Sequence, residues 1–134
     1  MFNSTVNKRI IMEQTTNNIL MIRPSNFNYN IQTAVNNYYQ KDEIEIDLVN
    51  ENAQKEFDLL VDKLKSNGIN VMVFDDDLKH DTPDSVFPNN WITFHSNGDV
   101  AVYPMFAINR RLERREDILS FVEDKGFKIN NIVD

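Results

Sequence analysis

The chain has 134 residues, no cysteine, and a net charge of −7 from 21 acidic and 14 basic residues. That length bounds it at one ordinary domain, and a hydrophobic fraction of 41% is enough for a core. The acidic balance argues against nucleic acid and anionic membranes, both of which are held by clustered Lys and Arg. Without cysteine there is no disulfide, no thiolate zinc site and no cysteine nucleophile among these residues. No apolar run approaches membrane-spanning length, and the N-terminus shows no apolar h-region with a cleavage site. A cytoplasmic location is the default expectation.

In chain order, Asn18 to Pro24 reads as a strand ended by the proline, and its four consecutive apolar residues suit a strand covered on both faces. Ser25 to Asn37 has no clear period and reads as loop, with a short helical turn at Thr33 to Tyr39. Asn50 to Asn67 is predicted to be a helix. Ala53, Phe57, Leu60, Val61 and Leu64 form one apolar face, Asn50 is placed to cap the N-terminus, and Gly68 is placed to end the helix. Ile69 to Phe74 follows as a short β-branched strand.

Asp75 to Asp84 is a polar loop. Asp75, Asp76, Asp77, His80 and Asp81 are close in sequence, but their spacing fits no calcium loop, since the glycine and the terminal glutamate of an EF-hand are absent. A solvated acidic loop is the simpler reading. Trp91 to His95 and Val100 to Tyr103 are two strands, and Asn97-Gly98 between them is the strongest hairpin signal in the chain, expected as a type I′ turn. His95 flanks that turn and is expected to be exposed. Leu112 to Lys125 is a second predicted helix, with Leu112, Ile118, Leu119, Phe121 and Val122 facing inward and Gly126 as its stop. Phe127 to Val133 is the last strand. The order strand, loop, helix, strand, followed by strand, strand, helix, strand, describes two similar units in tandem and an α/β class.

The residues with chemistry concentrate between Pro83 and Glu116. Asp84, Asn89 and Asn90 surround the aromatic Phe87, and a loop carrying Arg110 and Arg111 leads into a helix. A carboxylate, amides and an arginine around an aromatic suit a small polar ligand with a cationic end and an anionic end. A carboxylate takes paired, charge-assisted hydrogen bonds from a guanidinium, a planar arginine fork suits a carboxylate, and an aromatic face stacks on a planar guanidinium or ureido group. Each residue also has a plainer reading. Asp84 would cap the turn after Pro83, Phe87 would be core, and Asn89-Asn90 would shape the turn before Trp91. Arg110 and Arg111 would then be a solvated pair held by Glu113 and Glu116.

The string Pro83-Asp84-Ser85-Val86-Phe87-Pro88-Asn89-Asn90-Trp91 resembles the substrate-gripping segment of the guanidine-modifying superfamily. That group includes dimethylarginine dimethylaminohydrolases, arginine deiminases and amidinotransferases. Tyr103-Pro104-Met105-Phe106-Ala107, followed by Asn109-Arg110-Arg111 and Glu113-Arg114-Arg115-Glu116, is similar to the bacterial citrulline-utilisation hydrolases of the amidinotransferase type, as are Arg23, Asn26, Phe27 and Asn28. The matching sequences begin near Met12, so residues 1–11 are expected to be a poorly ordered extension and 12–134 the N-terminal portion of the domain.

The resemblance implies a five-bladed α/β propeller (pentein) of ββαβ units, of which this chain would supply about two blades. It also implies an arginine-derived small-molecule substrate, no metal and no organic cofactor. Asp84 falls at a substrate-contacting aspartate, and Arg110, through Arg-x-x-Glu to Glu113, at the arginine for the substrate's α-carboxylate; Arg111 is the competing register. Asn90 falls where several relatives carry a second guanidinium-binding aspartate, and Asn89 where some carry a glutamate. An amide brings no negative charge, which suits a neutral ureido end such as citrulline's. The family's cysteine nucleophile, its histidine and a further glutamate have no counterpart here, so the leading expectation is an N-terminal fragment of such a hydrolase without turnover of its own. The alternative is a stand-alone, non-catalytic binding or interaction module of the same fold. Two blades of a closed ring would leave faces open, so self-association is expected as well.

Overall fold

The computed structural model describes residues 15–34 and 46–134. The expectation for residues 1–11, and the part of the Thr33 to Tyr39 turn from Val35 on, lie outside the described residues. Strand β1 runs Asn18–Arg23 and pairs in parallel with β2, Asn70–Asp75, in the register Ile19↔Val71 to Arg23↔Asp75. Between them come α1, Ile31–Ala34, and the long α2, Ile46–Ser66. A 3-10 turn at Pro88–Asn90 leads into β3, Ile92–Phe94, and β4, Asp99–Val102, which pair antiparallel. Then α3, Ile108–Arg111, and α4, Glu116–Asp124, cross to β5, Asn131–Val133, which pairs with β4 in parallel. The second unit is therefore ββαβ and the first is βαβ, in sheets ordered β1-β2 and β3-β4-β5.

Helix α2 begins earlier than its apolar face suggested. Asn50 lies inside it and is not its cap. The Asn50 side chain instead accepts the Phe27 N–H at 2.8 Å and donates to the Ser25 carbonyl at 3.1 Å, pinning the loop after β1. Arg23 makes a two-bonded pair with Asp58 on α2 at 2.8 and 2.9 Å, and its guanidinium holds the Asp58 carboxyl below the ordinary range. The C-terminus behaves as expected: Gly68 adopts φ +81°, its N–H reaches Lys65 O, and the Ile69 N–H reaches Leu64 O. Of the apolar face, Val61 is buried while Leu60 stays 48% exposed. β1 is likewise less enclosed than its sequence implied. Only Ile22 of its apolar run is buried, because its sheet has two strands.

The predicted second helix, Leu112 to Lys125, starts only at Glu116, as α4, and the short α3 precedes it outside the predicted range. Residues 112–115 lie between the two, and Leu112, expected inward, is 44% exposed. In the interval 112–115, Arg115 turns to Asp76 and Asp77 in the loop after β2, while Glu113 pairs back with Arg110 three residues earlier. Ile118 and Val122 of α4 are buried as their spacing required, and Ile118 joins Ile22, Trp91, Ile92 and Val100 in the core. Phe74 of β2 meets Phe121 of α4 edge-on at 5.3 Å, and this contact joins the two units.

The hairpin turn differs from the expected type I′. Among the described residues no residue other than glycine has positive φ, so Asn97 does not adopt the conformation that turn demands. Ser96, Asn97 and Gly98 form a three-residue loop. The Gly98 N–H donates to His95 O at 2.9 Å, the His95 N–H donates to Asp99 O at 2.9 Å, and Gly98 takes φ +83°. The Asn97 side-chain oxygen accepts the Asp99 N–H at 3.0 Å, which stabilises the turn without left-handed backbone at Asn97. Asn130 closes over the turn, donating to Gly98 O and Asn97 O at 2.8 Å each. A Cβ on Gly98 would lie 2.6 Å from Asn130 Nδ2 and 3.0 Å from Lys128 O. Gly98→Ala should therefore lose about 2 kcal/mol from left-handed strain and crowding together. The expected fall in Tm is roughly 5–10 °C by circular dichroism; an unchanged melt would show that the turn relaxes freely.

Candidate active site

The segment from Pro83 to Trp91 folds back on itself through short turns. The Phe87 N–H donates to Asp84 O, the Asn90 N–H to Phe87 O and the Trp91 N–H to Pro88 O, at 3.0 to 3.1 Å. Trp91, 2% exposed, anchors the end of the segment in the core. The amide pair Asn89-Asn90 thus does shape the turn before β3.

Asp84 is 5% exposed and is held from behind. Its Oδ2 accepts Asn30 Nδ2 at 2.7 Å and Thr33 Oγ1 at 3.1 Å. Asn30, 1% exposed, also accepts Asn109 Nδ2 at 2.9 Å, and the Asn109 N–H donates to Gln32 Oε1 at 3.1 Å. This buried polar lattice joins α1, the Asp84 turn and the N-terminal part of α3. Asn30 and Thr33 carried no recognisable signal, since isolated polar residues in Asn-rich loop are ordinarily solvated, and Asn109 stood in the resembled string without a role.

Arg110 on α3 runs into the same cluster. Its Nε and Nη2 make a fork to Glu113 at 3.0 and 2.9 Å, Nη1 reaches Asn90 Oδ1 at 2.9 Å, and Nη2 also approaches the carbonyls of Phe87 and Asp84 at 3.4 and 3.5 Å. The Asp84 carboxylate lies 3.9 Å from its Nε. The expected partnership with Glu113 is present, but the pair is buried and not solvated: the side chains are 11% and 1% exposed. Burial pushes the Glu113 carboxyl above its ordinary range, and the hydrogen bonds from Arg110 pull it only part of the way back. Arg111, the alternative register, is exposed and donates to the carbonyls of Met105 and Phe106 at 2.9 and 3.2 Å.

Of the five sequence-derived candidates, Asp84, Asn90 and Arg110 are joined by direct contacts, and Phe87 joins through its carbonyl. The Phe87 ring is 45% exposed, so it is not a core aromatic, and Asn89 is exposed beside it. In the acidic loop, Asp76 and Asp77 turn to Arg115 at 3.1 and 3.3 Å, and Asp76 also accepts Thr82 Oγ1 at 3.0 Å. Arg115 stacks over Phe74 at 5.0 Å and holds the Asp117 carboxyl below its ordinary range by hydrogen bonding. Among the described residues no group of His, Asp and Glu could hold a metal ion. His95 is exposed and shares a hydrogen-bonded row with Thr93 and Tyr103, at 3.2 and 2.9 Å.

A carboxylate and an amide on the segment 84–90 thus meet an arginine from α3 in one buried polar cluster of an α/β fold. The family model described as N,N dimethylarginine dimethylhydrolase, eukaryotic, matches residues 23–134. The chain belongs to that family, whose chemistry is hydrolysis at a guanidino group. No curated protein and no solved structure matches the chain. Among the described residues no helix is long and apolar enough to cross a membrane.

Removing Arg110 tests the ion pair. Arg110→Met keeps an apolar stem but leaves Glu113 buried without a cation, at a cost of about 3 kcal/mol near pH 7. Burial, with the Asp84 and Asp76 charges, then acts on Glu113 unopposed, so its folded pKa rises further. A raised folded pKa gives stability that is present below the ordinary glutamate value and lost as pH rises through the folded one. The deficit of the variant should be largest near neutral pH and shrink toward about pH 5. Urea unfolding of both proteins at the two pH values checks this; an equal deficit at both would place the effect in lost packing.

Proposed function

We propose that this chain forms one wall of a site for an arginine-derived amino acid in a C–N hydrolase of the citrulline-utilisation, amidinotransferase type. The fold it would share is the pentein α/β propeller, with these residues as about two of its blades. Asp84, Phe87, Asn89 and Asn90 would face the guanidino or ureido end, and Arg110 the α-carboxylate. The observation that carries this reading is the lattice Asn30–Asp84–Arg110–Asn90. It holds an acid and a guanidinium rigidly behind the exposed Phe87 and Asn89. A preorganised first shell of this kind is what small-ligand recognition requires. In the family's chemistry a cysteine attacks the amidine carbon and a histidine moves protons. With no cysteine in its 134 residues, this chain has no turnover by that route unless a thiol comes from elsewhere.

A second reading, a non-catalytic binding module, is favoured by the way Arg110 is already occupied. Its fork is taken by Glu113 and one Nη1 hydrogen by Asn90. Isothermal titration with citrulline, arginine and dimethylarginine, on residues 12–134 and on Asp84→Ala, separates the readings. Saturable binding abolished in Asp84→Ala shows a preformed half-site that works as a module. Heat-silent titrations with all three ligands would show that these residues bind only within a larger assembly. Citrulline bound more tightly than arginine is the expected order, because Asn90 brings an amide where a second carboxylate would favour a cation.

A further inference from the structure

Asp84 does not offer its two carboxylate oxygens alike. Oδ2 accepts Asn30 Nδ2 at 2.7 Å and Thr33 Oγ1 at 3.1 Å, and Arg110 Nε lies 3.9 Å from the same atom. Two donors fill the acceptor capacity of one carboxylate oxygen. Oδ1 receives no hydrogen bond among the described contacts, and the side chain retains 7% exposure. The Asn30 amide that fills Oδ2 is fixed in its orientation. Its own Oδ1 accepts the Gln32 N–H at 3.1 Å and Asn109 Nδ2 at 2.9 Å. A flipped amide would turn its NH₂ toward those two donors and its oxygen toward the Asp84 carboxylate, so Nδ2 must face Asp84. Asn30 is almost wholly buried, and water does not compete for the bond.

We propose that Asn30 is a positioning residue that sets what Asp84 reads: by holding a fixed donor on Oδ2, it leaves one oxygen for the ligand. This role rests on the reading of Asp84 as a ligand contact and adds what decides between a guanidino and a ureido end. A guanidinium binds a carboxylate best through two parallel N–H···O bonds, one to each oxygen. At Asp84 that fork is unavailable, and the site takes a single N–H on Oδ1. Denying the second bond costs a cation more than a neutral ureido group, because bonds between two charged partners are the stronger. The class favoured is therefore a ureido amino acid over a guanidino one, and Asn30, behind the carboxylate, is the residue that favours it.

Asn30→Ser in the full chain tests this. The serine hydroxyl still accepts the N–H two residues on, but it no longer reaches Asp84, whose carboxylate is then free to turn and offer both oxygens. The readout is the ratio of arginine to citrulline affinity by isothermal titration. The expected result is a shift of about tenfold toward arginine relative to the wild type, the strength of roughly one charge-assisted bond. Thr33→Val removes the other donor from Oδ2 at nearly constant shape. It should move the ratio the same way, and it carries the test if Asn30→Ser does not fold. General loosening of the structure would weaken both ligands alike and leave the ratio unmoved. Binding retained in the variants with an unchanged ratio overturns the positioning role alone. Silence with both ligands in the wild-type chain is failure of the ligand-site reading itself, and the positioning role falls with it.

Discussion

The site rests on one buried constraint: Arg110 must find partners for its donors at 11% exposure. A guanidinium withdrawn from water is tolerated only where carboxylates and carbonyls replace the solvent. Glu113 supplies the fork from three residues along, where the tight turns that carry the chain from α3 to Arg114 keep the two side chains on one side. Asn90 and the carbonyls of Phe87 and Asp84 supply the rest, and that requires the segment 84–90 to coil tightly toward α3. Asp84 then lies 3.9 Å away, and its charge is balanced from one side by Arg110 and from the other by the amide of Asn30. The shape of the loop and the position of α3 both follow from satisfying these groups.

The same logic joins the two units. Arg115 is a second inward cation, shared by Asp76, Asp77 and Asp117 and laid over Phe74. It ties the loop after β2 to the start of α4, directly above the contact between Phe74 and Phe121. The acidic run 75–77 is therefore largely a counter-charge for α4. An acidic cluster with a guanidinium inside it needs no metal to explain it.

Much of this was legible in the order of the residues. Gly68 and Gly126 marked helix ends because only glycine takes positive φ there at no steric cost. Ile118 and Val122 marked the inward face of α4, and Asp84, Asn90 and Arg110 were recognisable as a group from their types and a family string. What was not legible depended on distance in space. Asn50 looked like a cap because caps are local, yet its partners are the backbone of residues 25 and 27. Asn97-Gly98 promised a type I′ turn, but the Asx bond to Asp99 and the clamp by Asn130 favour the three-residue loop. Leu112 fitted a helical period that the burial of Glu113 interrupts. Asn30 gave no sign, because what makes it important is its distant partners Asp84 and Asn109.

Asn90 has two roles that compete. It accepts Arg110 Nη1, and in the proposed reading it would also face a ligand's planar end. Arg110 has five donor hydrogens. Glu113 takes two, Asn90 one, and the Phe87 and Asp84 carbonyls crowd the remaining Nη2 hydrogen, so among the described contacts one Nη1 hydrogen is uncommitted. In the proposed reading, a carboxylate would fork Nη1 and Nη2 only by displacing the Phe87 and Asp84 carbonyls, in competition with the Asn90 oxygen. An Asn90 amide released in this way would be free to rotate, and it both donates and accepts, which suits the C=O and NH₂ of a ureido group. A carboxylate at position 90 would instead hold Arg110 by a charge-assisted bond and would be harder to displace. In the proposed reading, an amide at this position would couple capture of one end of a ligand to freeing the group that reads the other.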